Sequence, residues 1–228
     1  MLQNDPNAVK LAEIIKTGDL NQVIENLKSV PEFAKARVNG ESFLHIATSA
    51  DKVNIMELFI YRGISPDEPS AAGVAPIHKA ISKNALEMLL SKGAGINVKD
   101  GSGRTPLHAA ALFNRTAVLE YLILKGAEVN LKDSSGTSAL GHAIAGGHLN
   151  VIENLLKWGA DPNNVDNMGD SPLHTAVLYE NVEIVKTLAL HGANVNIKNN
   201  DGMTPLGEAK SKNLIKIIMV LSQFGGCE

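Results

Sequence analysis

One phrase returns six times along the chain: GESFLHIA from Gly40, GVAPIHKA from Gly73, GRTPLHAA from Gly103, GTSALGHA from Gly136, GDSPLHTA from Gly169 and GMTPLGEA from Gly202. The leading glycines stand 33, 30, 33, 33 and 33 residues apart. A second marker, an apolar run closing on glycine, recurs at Gly63, Gly93, Gly126, Gly159, Gly192 and Gly225. Each of the first five lies ten residues before the next leading glycine, even across the shortened copy. Two markers in step restrict the chain to a stack of supersecondary units, none of which can bury its apolar face alone.

The physics of one copy is legible from its residues. Thr105 precedes Pro106, and proline suits a first helical turn where its missing N–H costs nothing, so Thr105 reads as an N-cap. Leu107, Ala110 and Ala111 give the short helix a small apolar face. Val118, Leu119, Leu122 and Ile123 then recur at three-to-four-residue spacing as a second amphipathic helix, which Gly126 ends. The following AEVNLKDSSG carries Asn, Asp, Ser and Gly, residues that favour turns. A protruding hairpin-like loop is expected there.

A 33-residue period with a T-P-L-H-x-A phrase resembles the ankyrin-repeat family. Thr105-Pro106-Leu107-His108 matches the phrase fully and Ser171-Pro172-Leu173-His174 nearly so, and the resemblance covers roughly Asn39 to Gly225. It implies an all-α solenoid, an ankyrin-repeat array of helix-turn-helix units with β-hairpin-like loops and helical caps at both ends. The expected organisation is one domain over 1–228. A capping helix pair occupies 5–38, repeats fill 39–71, 102–134, 135–167 and 168–200, a shortened repeat fills 72–101, and a capping repeat fills 201–228. Ala8 to Lys16 and Asp19 to Lys28 form the first pair, and Lys210, Lys212 and Lys216 give the last repeat a polar outer face. The shortened copy has 15 residues between His78 and Gly93 against 18 between His108 and Gly126, so its second helix is expected to be short or to begin differently.

Composition narrows the partners. With 21 Lys plus Arg against 24 Asp plus Glu, the chain has no basic footprint for nucleic acid. At 44% hydrophobic and 20% charged it lies far from disorder. No apolar run reaches the length of a membrane span. The lone Cys227 has no disulfide partner within the chain and reads as an incidental tail residue. Cytoplasmic location is the default, with an exported or periplasmic location the alternative if a leader is removed.

Nothing in the sequence proposes a reaction, a cofactor or a metal. His45, His78, His108 and His174 share one slot of successive repeats. Packed helices lie about 8 to 10 Å apart while zinc needs nitrogens at about 2 Å, so these histidines cannot converge on one ion. The resemblance gives them a structural task instead, hydrogen bonding from the first helix to the threonine slot and the adjacent loop. Gly141 and Gly207 fill that slot in two copies, which weakens those junctions. His142 and His148, six apart, match no ligand spacing, and Gly101-Ser102-Gly103 is repeat-loop glycine rather than a phosphate cradle.

The resemblance also implies a concave groove lined by loop tips and by the exposed side of each first helix. The matching pairs are Ser49-Ala50, Ser82-Lys83, Leu112-Phe113, Ala145-Gly146, Leu178-Tyr179 and Ser211-Lys212. Leu112-Phe113 and Leu178-Tyr179 should form two apolar walls around a notch floored by Ala145-Gly146. Trp158, in a slot that holds Arg62, Lys92, Lys125 and His191 elsewhere, should be exposed near the same mouth, with loop-tip residues Arg104, Met168, Asp170 and Met203 completing the patch. The loop ISPDEPSAAG before Gly73 is a second candidate contact. The expected function is a non-enzymatic module, monomeric when free, that grips one folded protein, an enzyme it inhibits being one such partner. It would act by occlusion as an inhibitor, sequestering or self-protection factor, since the chain offers no second module to deliver. The alternative is a scaffold bridging two proteins, which predicts two separated apolar patches rather than one.

Overall fold

A computed structural model describes residues 5–29 and 35–227. Met1–Asn4, where a leader would begin, and residues 30–34 of the N-terminal pair's exit lie outside the described residues. The chain runs α1 (Pro6–Thr17), α2 (Leu20–Ser29), a hairpin of β1 (Arg37–Val38) and β2 (Glu41–Ser42), α3 (Phe43–Ser49) and α4 (Val53–Tyr61). A 3₁₀ turn, Pro76–Lys79, precedes α5 (Lys83–Ser91). Then come α6 (Pro106–Leu112), α7 (Thr116–Leu124), α8 (Ala139–Ala145), α9 (Leu149–Lys157), α10 (Pro172–Leu178), α11 (Val182–Leu190), α12 (Pro205–Ser211) and α13 (Ile215–Gln223). These fall into two compact units, Met1–Pro106 with Leu124–Gly126 and Leu107–Ile123 with Ala127–Glu228. Among the described residues no helix is long and apolar enough to cross a membrane.

Each full repeat is a seven-residue helix followed by a nine-residue one; the first is buried over most of its length, and the second is buried along one stripe. In α9, Val151, Ile152 and Leu155 are buried while Asn150 and Lys157 face out, the spacing of a helix with one covered side. Within the first unit the Phe43 and Phe59 rings meet at 5.5 Å between α3 and α4. Within the second, α8 packs on α10 and α10 on α12, with α9, α11 and α13 in a parallel layer. The last repeat carries its lysines as expected, yet α13 also exposes Ile215 and Met219.

The shortened third copy departs from expectation in an instructive way. Its second helix, α5, keeps all nine residues; the first helix is what is lost, reduced to the four-residue 3₁₀ turn. Ala85, Leu86 and Leu89 supply its buried stripe, and Ser82 caps α5 by accepting the Ala85 N–H, so this helix keeps both its packing face and its start. Polar staples hold what remains: Ser82 Oγ donates to Asp51 at 2.5 Å, and Lys79 pairs with Glu41. The expected hairpin-like loops recur from repeat to repeat, each tip closed by a backbone bond such as Asp133 N–H to the Thr137 carbonyl at 3.0 Å or Asp166 N–H to the Asp170 carbonyl at 3.0 Å, with little strand pairing beyond it. The described residues contain one two-stranded ladder, Arg37 opposite Ser42, and one isolated bridge between Lys132 and Ser138.

The repeats are joined by a series of histidines. In α10 the Ser171 N–H donates to His174 Nδ1 at 3.1 Å, which fixes the proton on Nε2, and Nε2 donates to the Met203 carbonyl of the next repeat at 2.9 Å. His45 reaches the Val74 carbonyl at 2.7 Å, His78 the Arg104 carbonyl at 2.9 Å and His108 the Thr137 carbonyl at 3.1 Å in the same manner. Asparagines add a parallel series in the loops. Asn130 donates to the Gly159 carbonyl and accepts the Asp161 N–H, and Asn163 and Asn196 repeat the pattern with Gly192 and Asn194, and with Gly225 and Cys227.

Burial pushes His45 down to about 4, and burial reinforced by the nearby His142 does the same for His108. The unfolded chain, with ordinary histidines near 6.5, binds more protons than the folded one once pH falls below that value. The stability these residues confer is therefore complete above pH 6.5 and is lost as pH falls to 4, by roughly 3 kcal/mol per histidine. Thermal melts followed by circular dichroism should show a falling midpoint from pH 6.5 to 4, and a midpoint unchanged down to pH 5 would contradict this account.

Candidate functional site

Leu112 and Phe113 end α6, Ala145 ends α8, and Leu178 and Tyr179 end α10, so these residues gather at one end of three neighbouring first helices. Adjacency of α6 and α8 is set by the His108 and His142 rings, edge to face at 5.4 Å. Phe113, Leu178 and Tyr179 are 60%, 55% and 54% exposed, Leu112 is half-buried and Ala145 is exposed. Two interhelix steps of about 8 to 10 Å set the two aromatic positions roughly 16 to 20 Å apart. Arg115 lies over the Phe113 ring, its guanidinium carbon 5.0 Å from the centroid, a cation–π contact.

The centre of the expected notch is filled from within the chain. Gly146 is half-buried because the His148 ring lies against it: a Cβ there would sit 2.5 Å from the His148 Nε2 and Cδ2 atoms. His148, N-cap of α9, donates through Nε2 to the Leu112 carbonyl at 2.9 Å. Asn150 adds a bond to Thr116 Oγ1 at 3.0 Å. The open floor between the walls is therefore Ala145. Sequence reasoning set His148 aside as a poor metal ligand, although the glycine two residues before it was the available signal of a ring needing room.

Trp158 is exposed as expected, at 44%, but not beside Phe113 and Tyr179. Helices α8 and α9 are joined by a three-residue turn and pack along each other, so α9 carries the chain about 13 Å back from that turn before Trp158 caps it. The neighbouring Gly159 carbonyl is held by Asn130 of the preceding loop. Trp158 thus stands at the loop end of the repeat and the two walls at the turn end. Leu190 and Phe224, at the same ends of α11 and α13, are 64% and 38% exposed and extend its row.

Among the loop-tip residues, Met168 is mostly exposed, with its N–H held by Asp166 at 2.8 Å. Asp170 accepts from Asn199 Nδ2 at 2.7 Å, and Met203 is half-buried with its carbonyl occupied by His174. Arg104, in the first unit, folds back onto Asp100 through Nε at 2.9 Å. Burial alone would raise the Asp100 carboxyl, but bonds from the Arg104 backbone and side chain and from Ser102 hold it below its usual range. The acids of the loop before Gly73 are likewise committed, Asp67 to the Gly95 N–H at 3.0 Å and Glu68 to Arg37.

At Gly141, where other copies carry histidine, the Thr137 methyl takes the space beside the backbone, 2.6 Å from where a Cβ would sit, and a small cavity of about 20 Å³ lies nearby, lined by Asn164 and Asp170 among others. His142 stands next to it and donates to Asp133 at 2.9 Å. Burial would raise the Asp133 carboxyl, yet hydrogen bonds from Ser135, His142 and Thr137 hold it below the ordinary range. This His–Asp pair fastens a loop to its own helix and faces no nucleophile. Among the described residues no group of three or more His, Cys, Asp or Glu is arranged to hold a metal.

Comparison with known proteins accords with this architecture. A family model described as ankyrin repeats (3 copies) matches residues 8–100, 77–166 and 159–227. Similar proteins include the RelA-associated inhibitor of Mus musculus, 27% identical over 103 residues, which are 44% of this chain and 12% of that protein. An ankyrin repeat-containing protein of Schizosaccharomyces pombe is 37% identical over 65 residues, 27% of this chain and 31% of that protein. The chain thus spans less than a third of the length of these curated relatives. Among solved structures, the ankyrin repeat domain of Bcl-3, described as a unique member of the IkappaB protein family, aligns with a TM-score of 0.75 at 26% identity, covering 93% of this chain and 97% of that one. An ankyrin repeat domain of Acinetobacter baumannii aligns with a TM-score of 0.71 at 26% identity, covering 81% and 98%.

Because the chain has one tryptophan and its ring is part-exposed, acrylamide should quench the folded protein's fluorescence efficiently, and Phe113→Ala should leave that quenching unchanged. A Stern–Volmer slope that shifts with Phe113→Ala would place the two side chains together after all.

Proposed function

We propose, from the premise that the chain belongs to the ankyrin-repeat family, that it works by gripping a folded protein between the Leu112-Phe113 and Leu178-Tyr179 walls and occluding that partner's surface. The family is a protein–protein interaction module and generally non-enzymatic. The observation that carries the reading is the pair of exposed aromatics on either side of Ala145, at the ends of first helices that are otherwise buried or polar. Each is a large apolar surface left in water, and full burial of such a side chain is worth about 1.5 to 3 kcal/mol. The name of the RelA-associated inhibitor, which matches part of the chain, supports inhibition as the mode of action.

The scaffold reading has an observation in its favour. Trp158, Leu190 and Phe224 form a second apolar row at the opposite end of the repeats, so the exposed apolar surface is not one contiguous patch. A bridging protein would use both rows at once, whereas an occluding one needs only the first.

Affinity capture from the source organism, read by mass spectrometry, identifies what is bound. The Phe113→Ala/Tyr179→Ala double variant should lose capture by at least tenfold while its helical circular dichroism and melting cooperativity stay near those of the parent. Capture that survives the double change would sink the reading. Capture of one protein by the Phe113–Tyr179 surface and of another by Trp158 and Leu190 would turn it into the scaffold.

A further inference from the structure

We infer that His148 is a positioning residue that makes one wall of the proposed site rigid and leaves the other adjustable. This inference takes its meaning from the binding reading above but stands on its own geometry. The Leu112 carbonyl lies in the last turn of α6, where the helix has no backbone partner of its own to offer. His148 Nε2, arriving from the start of α9, supplies a donor at 2.9 Å. The ring can reach it only because residue 146 lacks a Cβ, which would lie 2.5 Å from the imidazole, and because Gly147 turns the chain at a φ of +70°. With the carbonyl fixed and Arg115 laid over the ring at 5.0 Å, Phe113 is held from both its backbone and its side chain.

The other wall is built differently. One repeat period pairs Leu112 with His148, and the same offset pairs Leu178 with Leu214, which has no hydrogen-bond donor in its side chain. Lys212 occupies the position equivalent to Gly146, so a ring would lack its seat as well. Both walls are followed by a residue in the left-handed region, Asn114 at a φ of +56° and Glu180 at +55°, but among the described residues no side chain equivalent to the imidazole clamps the turn after Tyr179. A fixed wall sets the register of a partner, and an adjustable one closes on it, so the ordering cost of binding falls mainly on the Leu178-Tyr179 side.

Amide hydrogen exchange on the whole chain tests this, with fluorine spectra of 4-fluorophenylalanine in place of Phe113 and, separately, 3-fluorotyrosine in place of Tyr179. His148→Ala should accelerate exchange of the Phe113, Asn114 and Arg115 amides about five- to tenfold, the loss of one hydrogen bond, and should average the fluorine line at 113. The Val151, Ile152 and Leu155 amides should be unchanged. Gly146→Ala, which keeps the histidine but fills its seat, should act in the same way, and His148→Gln, an amide donor of similar reach, should restore the parent behaviour. In the parent the label at 179 should already be averaged. Unchanged exchange in His148→Ala or Gly146→Ala, acceleration spread evenly through the unit, or a label at 179 as fixed as that at 113 would each overturn the inference. No partner enters these measurements, so their failure is distinct from a capture that survives loss of Phe113 and Tyr179.

Discussion

Two of the repeat boundaries in the second unit are aligned by an imidazole that donates across them, from His108 and from His174. A helix pair of seven and nine residues is too short to hold its own fold in water and must find partners on its flanks. Apolar stripes such as Val151, Ile152 and Leu155 supply the attraction but little direction. The Nε2–H of His108 or His174, fixed as a donor by a partner on Nδ1 or by the surrounding burial, supplies direction by meeting one particular carbonyl of the next repeat. At His108 burial strengthens that bond and makes the charged form of the ring expensive, so order and acid sensitivity come from the same atoms there.

That arrangement frees other positions for function. Because stripes and imidazoles hold the stack, the last residue of each first helix and the residue beyond it need not pack. Selection can place there whatever a partner requires. In α6 and α10 those positions hold Leu112-Phe113 and Leu178-Tyr179. In α8 the corresponding residues are small, and the room is used by a ring that fastens the neighbouring wall. The loop tips are less free than they look from sequence. Arg104, Asp170 and Met203 are each engaged within the chain, leaving Met168 as the exposed apolar tip among them.

The repeat architecture was legible in the sequence because it is periodic: two markers in register gave the helix pairs and the histidine slot. What escaped was the content of single places. Counting residues showed that the third copy lost three and pointed to its second helix, whereas the first is the one that goes, because Ser82 still caps α5 and Ala85, Leu86 and Leu89 still cover its stripe. Exposure of Trp158 followed from its polar slot. Its distance from Phe113 did not, because slot numbers say nothing about which end of an antiparallel pair a residue occupies. Gly146 read as empty space, whereas a ring two residues later was folded over it.

The missing histidine at Gly141 has a mechanical consequence. At that junction the loops are bound closely, by Asn130 to Gly159 and Asp161, Lys132 to the Val165 carbonyl at 2.5 Å, and Asn167 to Ser134 and Ser135. In the helix layer beside them no imidazole crosses from residue 141; the Thr137 methyl lies against that glycine instead. The polar fastening of this junction therefore runs along its loop edge, and the helix edge is held by apolar packing of α8 on α10. Between α8 and α10, then, the directional bonds stand at the loop end of the repeat, while the turn end that carries the two aromatic walls is aligned by shape alone.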